Sequence, residues 1–191
     1  MNLPNKLTVL RLILIPVFAA VFYISAIPYN FLISAVIFAA AGFTDFLDGH
    51  IARKYNLVTD LGKFLDPIAD KVLVSTALII MLLPLNAVIL PWYAAIFVAV
   101  ILARELIISG FRMVAASKSV VLAADKAGKI KTFVQDVAIL VLLVGASLDA
   151  GLYSVTNIVG ISLLGLATLL TIISGAECLI KNRAVLSEKK S

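Results

Sequence analysis

Asp45, Asp48, Asp66 and Asp70 are spaced for chemistry on helices. The first two stand at i,i+3 and the last two at i,i+4, so each pair lies on one face of its helix. Gly62 continues the second face one turn back, and Gly49 leaves the backbone open beside Asp48. Long apolar runs flank the whole stretch. A charge at the centre of a membrane helix costs about 2.5–3.5 kcal/mol on insertion scales. Four converging carboxylates need a compensating charge, and divalent metal is the obvious source. Oxygen-only ligands favour Mg²⁺, Mn²⁺ or Ca²⁺ over zinc. Two divalent ions bridged by aspartates can clamp a pyrophosphate and stabilise both the attacking and the leaving oxygen.

The elements that must hold these acids are helices in a membrane. Of 191 residues, 62% are hydrophobic, and the mean hydropathy is +1.11. A soluble domain of this size has too little interior for that much apolar surface, and continuous apolar runs mean helices rather than a β-barrel. The expected fold class is all-α, a polytopic membrane protein. Residues 1–185 form one membrane domain and residues 186–191 a disordered tail. A net charge of +5 would suggest nucleic acid in a soluble protein. Here membrane topology accounts for the cations, and no nucleic-acid partner is expected. The single cysteine, Cys178, excludes an intrachain disulfide, and His50 reads as a solvated or interfacial side chain.

Three blocks are free or nearly free of charge: Leu12–Thr44, Val72–Ala103 and Val137–Ala176. Each is too long for one span of about 20 residues and suits two spans joined by a turn. The breaks fall at Pro28-Tyr29-Asn30, between Pro84 and Pro91, and at Asp149-Ala150-Gly151. Six transmembrane helices in three hairpins follow. All 16 Lys and Arg residues lie outside the blocks. By the positive-inside rule, both termini and the aspartate cluster face the cytoplasm, in the cell membrane. Trp92, Tyr93, Tyr29 and Tyr153 suit the opposite interface. Lys6 and Arg11 before an apolar run mimic a signal peptide, but Arg11 and Pro16 interrupt that pattern, so this is read as the first membrane helix. Over Met1–Arg11, Asn5 and Thr8 suit a short interfacial helix preceding the bilayer.

Beyond the fourth span, Glu105, Ser109 and Arg112 share a helix face, with Arg104 about 100° away. Lys126, Lys129 and Lys131 open the fifth helix. Arg104, Arg112, Lys126, Lys129 and Lys131 together favour an anion site, because a phosphate takes several N–H donors. Intramembrane acids also mark cation or proton transporters. Against that, these acids cluster at one end of the spans, and no pair of broken-helix repeats is visible.

Written as a pattern, the central stretch is Asp45-x2-Asp48-Gly49-x2-Ala52-Arg53-x8-Gly62-x3-Asp66-x3-Asp70. This resembles the full signature of the CDP-alcohol phosphotransferases. The resemblance implies a CDP-linked lipid donor, two divalent cations (Mg²⁺ or Mn²⁺) and a homodimer. It gives Asp45, Asp48, Asp66 and Asp70 metal-ligand roles, with Asp70 also the general base toward the acceptor alcohol. It places Asp48, Gly49, Ala52, Arg53 and Gly62 at the nucleotide. Asn5-x2-Thr8-x2-Arg11 resembles the start of bacterial members that use glycerol 3-phosphate, and this adds Asn5 and Thr8 to the nucleotide site. Acceptors in the family include serine, inositol phosphate, glycerol 3-phosphate and phosphatidylglycerol. The basic set argues for a phosphorylated acceptor, and Arg104-Glu105, Ile108-Ser109-Gly110 and Gly128 to Thr132 resemble the members that use glycerol 3-phosphate. The implied reaction joins CDP-diacylglycerol and glycerol 3-phosphate, and CMP leaves.

Overall fold

The computed structural model describes residues 3–54, 60–83, 89–118, 120 and 126–185. Within these helices, the side chains of residues 45, 46, 48–53, 60, 61, 63, 64 and 126 lie outside the description, with those of 3, 4 and 184. The described chain is all helical: α1 (Leu3–Tyr23), α2 (Asn30–Lys54), α3 (Asp60–Leu82), α4 (Ala94–Ser117), α5 (Lys126–Gly145) and α6 (Ala150–Lys181), then a 3₁₀ turn at Arg183–Val185. Three helices are long and apolar enough to cross a bilayer by length and composition, at Asn5–Tyr23, Ala94–Ser117 and Ala150–Lys181. The apolar part of α2, Asn30–Thr44, is shorter. The molecule is a membrane protein.

Each helix break has a local cause. Between α1 and α2 the chain turns at Pro28-Tyr29-Asn30, and Tyr29 takes the left-handed conformation at φ 57°. Asn30 ties this turn down by donating its Nδ2–H to the Phe22 carbonyl at 2.8 Å. The α5–α6 turn begins at Ala146 and ends where Asp149 leads into α6. Between α3 and α4, Leu90 N–H reaches back to the Met81 carbonyl. Asn157 of α6 caps the same connection by donating to the Ile89 carbonyl at 2.8 Å.

The helices pack as two halves. In the first, α1 lies against both α2 and α3; in the second, α6 lies against both α4 and α5. The α5–α6 pair packs most extensively, and Gly160 lets α6 approach where Leu142 projects. A Cβ at residue 160 would stand 2.6 Å from Leu142 Cγ. Fewer contacts cross the seam between the halves, carried mainly by α2 on α5 and α3 on α4. One apolar core nevertheless runs through both, from Phe18, Phe22 and Phe38 through Leu78 and Met81 to Ile101, Leu142 and Leu164. Cys178 packs in a smaller cluster with Ile108, Phe111, Ala115 and Val185.

The N-terminal segment differs from expectation. Leu3–Tyr23 is one uninterrupted helix, so among the described residues 3–11 no separate element precedes the span. Asn5, Thr8 and Arg11 are buried, Arg11 completely. Their three-residue spacing turns them toward the bundle, so this polar face serves the interior.

Candidate active site

The two acid pairs sit on consecutive helices. Asp45 and Asp48 are on the last turns of α2, and Asp66 and Asp70 follow on the early turns of α3. The side chains of Asp45, Asp48, Ala52 and Arg53, and residue Gly49, lie outside the described residues. Gly62 is buried on the first turns of α3. Asp66 is half-buried, and Thr8 Oγ1 of α1 donates to its Oδ1 at 2.6 Å. Thr8 is itself 1% exposed, so this hydroxyl fixes the carboxylate from the protein side. A hydrogen bond to a charged acceptor is among the stronger kinds.

Asp70 lies one turn further along α3, on the wall of a cleft between α3, α4 and α5. The mouth of this cleft is charged: Asp70 and Lys71 come from α3, Glu105 from α4, and Lys131 from α5. Lys131 is 3% exposed, and its ammonium pairs with Glu105 Oε1. Burying an unpaired ammonium is very costly, so Glu105 is what allows a cation here. Lys71 donates to Ser109 Oγ, and Ser109 in turn donates to the Glu105 carbonyl. Lys71 precedes the apolar run that starts at Val72. Burial pushes its ammonium below the ordinary lysine value; Glu105 and Asp70 oppose that, and the positive charges of Arg112 and Arg104 reinforce it.

Arg104 joins the cluster from behind. It reaches Glu105 Oε1 at 3.4 Å and donates from Nη2 to Ser174 Oγ of α6 at 2.9 Å. Gly175 makes room for it, since a Cβ there would stand 3.1 Å from Arg104 Cγ and 3.2 Å from its Nε. Of the other cations in the expected anion site, Arg112 is exposed but close enough for its charge to act on Lys71. Lys129 is exposed and stands about 200° around α5 from Lys131, away from the cleft. The Lys126 side chain lies outside the described residues. Lys71, Glu105 and Gln135 are cleft residues that sequence reasoning did not place there. Lys71 adjoins Asp70, Glu105 shares a helix face with Ser109 and Arg112, and Gln135 stands one turn beyond Lys131 on the same face, which are the signals that could have found them.

A carboxylate able to accept a proton thus stands in one cleft with a buried cation, Lys131, and a half-buried one, Lys71. Compared with known protein families, residues 1–173 match the CDP-alcohol phosphatidyltransferase model. The chain belongs to that family. Within it, the chain is similar to a Rickettsia felis protein named CDP-diacylglycerol–glycerol-3-phosphate 3-phosphatidyltransferase, at 42% identity over 91% of both chains. A Bacillus subtilis protein of the same name is 44% identical over 74% of this chain and 76% of its own. One from Salmonella typhimurium is 41% identical over the same shares.

The contact between Thr8 and Asp66 makes a direct prediction for this family member. Thr8→Val keeps the shape and removes the hydroxyl, which frees a carboxylate at the centre of the family signature. Turnover is expected to fall about tenfold, the worth of one charge-assisted hydrogen bond. Stability in detergent should fall as well, by about 1.5–3 kcal/mol, so turnover is compared per folded protein. Unchanged turnover in Thr8→Val would show that Asp66 needs no support from α1.

Proposed function

We propose that this protein transfers the phosphatidyl group of CDP-diacylglycerol to sn-glycerol 3-phosphate, giving phosphatidylglycerophosphate and CMP. The observation that carries the reading is the meeting of Asp70 with the buried Lys131 in one cleft. A base and an anion site so close together suit an acceptor with a hydroxyl at one end and a phosphate at the other. The names of the relatives support the same substrates.

In this reading, Lys131 and Lys71 receive the acceptor phosphate, with Arg104 and Arg112 adding charge around them and Lys126 and Lys129 further basic members of the set. Asp70 takes the proton from the acceptor hydroxyl. The oxygen then forms a bond to the β-phosphorus, the bond from that phosphorus to the bridging oxygen breaks, and CMP leaves. Asn5, Thr8, Asp48, Gly49, Ala52, Arg53 and Gly62 form the nucleotide side. Asp45, Asp48, Asp66 and Asp70 would hold two divalent cations, Mg²⁺ or Mn²⁺. The described pair fits that role: Asp66 and Asp70 are all-oxygen donors on one face of α3, and among the described residues neither His nor Cys lines the cleft. Held there, the cations would supply charge to neutralise the pyrophosphate and to stabilise the attacking and leaving oxygens.

The rest of the reading concerns placement. Six helices span the cell membrane as one domain over residues 1–185, with both termini and the cleft on the cytoplasmic side, and the functional unit is a homodimer. The distribution of Lys and Arg supports the orientation.

The test is CMP release by the purified full-length protein in detergent with CDP-diacylglycerol. Glycerol 3-phosphate, serine and inositol 1-phosphate are compared as acceptors, each with Mg²⁺ and with EDTA. Release with glycerol 3-phosphate, abolished by EDTA, is expected. Release with another acceptor alone overturns the acceptor assignment. Absence of release with all three by folded protein overturns the enzyme.

A further inference from the structure

The cleft changes character with depth. Its mouth holds Asp70, Lys71, Glu105, Lys131 and Thr132, whereas one turn inward the walls are mostly apolar, Val74, Ile101 and Leu102, with Ser75 beside them. Gln135 sits in this largely apolar floor. It is 2% exposed, it lines the cleft, and its Oε1 is buried without a hydrogen-bond partner. A buried amide oxygen left unpaired carries a desolvation penalty that a bound donor removes. Gln135 follows Lys131 by one turn of α5, about 5.4 Å along the axis, on the same face. Gln135 therefore stands one turn deeper along the cleft than the cation that would take the phosphate.

We propose that Gln135 is a specificity-determining residue whose Oε1 accepts a hydrogen bond from the secondary hydroxyl of the acceptor. This rests on the reading of glycerol 3-phosphate as that acceptor. With the phosphate on Lys131 and the secondary hydroxyl on Gln135, the three-carbon chain is held at two points, and its primary hydroxyl is left for Asp70. An acceptor lacking the middle hydroxyl leaves the amide oxygen unpaired in an apolar floor. Sites built to hydrogen-bond a substrate hydroxyl discriminate strongly against analogues without it.

The probe is 3-hydroxypropyl phosphate, which is glycerol 3-phosphate without its secondary hydroxyl. CMP release is measured with both acceptors for the wild-type protein and for Gln135→Leu. The wild type is expected to favour glycerol 3-phosphate in kcat/KM by about tenfold or more. In Gln135→Leu that ratio should collapse toward one, chiefly by loss of activity on glycerol 3-phosphate. A merely structural role for Gln135 would lower both activities and leave the ratio unchanged, and that outcome overturns the assignment. Equal use of the two acceptors by the wild type overturns it without recourse to the variant, should Gln135→Leu fail to fold. No release with glycerol 3-phosphate by folded wild-type protein overturns the functional reading, and this inference falls with it.

Discussion

Replacing Asp70 with Asn should lower CMP release by about 10²–10⁴-fold, the usual contribution of a positioned general base. Asn keeps the shape of the side chain and a neutral oxygen, but it cannot take up the acceptor's proton. The loss should appear in kcat, with the KM for glycerol 3-phosphate changed only a few-fold, because the phosphate-binding cations are untouched. Asp70 is half-exposed on the cleft wall and is not part of the apolar core, so the variant should fold. Size-exclusion behaviour and thermal unfolding in detergent check that point. Activity within tenfold of wild type would move the base elsewhere among the acids.

The second large effect belongs to the Glu105–Lys131 pair at the mouth of the cleft. Glu105→Gln leaves the Lys131 ammonium 3% exposed and without its charged partner. Breaking one side of a buried pair costs about 3–5 kcal/mol. Glu105 is itself 22% exposed, so the lower figure, about 3 kcal/mol, is expected. Lys131→Met in the Glu105→Gln background should restore most of the lost stability, since the unpaired charge is gone and an apolar side chain takes its place. It should not restore activity, because the acceptor phosphate has lost its buried cation. Unfolding temperatures of the wild type, both single variants and the double variant give the coupling. If the two single effects simply add, the pair contributes no coupling and Glu105 has some other task.

Much of this site is legible in the residues themselves. The spacing of Asp45, Asp48, Asp66 and Asp70 requires helices on both sides of a short connection, and α2 and α3 have that arrangement. The turn at Pro28-Tyr29-Asn30 and the breaks flanking α4 and α6 follow from proline, glycine and polar residues at the ends of apolar runs. Less legible is whatever depends on how helices face one another. Arg104 was readable as a cation, but its partner Ser174 lies seventy positions further along, and Gly175 makes room only because α6 crosses there. Thr8 reads in the sequence as part of an interfacial helix and, through the resemblance, as a nucleotide contact; that its hydroxyl donates to Asp66 across the first half depends on how α1 faces α3. Lys129 and Lys131 look alike in the sequence, and only the rotation of α5 separates an exposed lysine from a buried one. Gln135 carries no charge and belongs to no motif. It gains meaning from an apolar floor built by residues of α3 and α4.

The seam between the two halves also orders events during synthesis. The ribosome completes the acid-bearing helices first, and α3 is finished at Leu82, before any residue of α4 has been made. Every wall of the cleft beyond Asp70, Lys71 and their neighbours on α3 comes from α4 and α5. A nascent chain that stopped short of α5 would hold its aspartates but have neither Lys131 nor a floor. The cleft is therefore a late product of assembly, and a chain truncated before α5 would carry the aspartates without the wall that completes it.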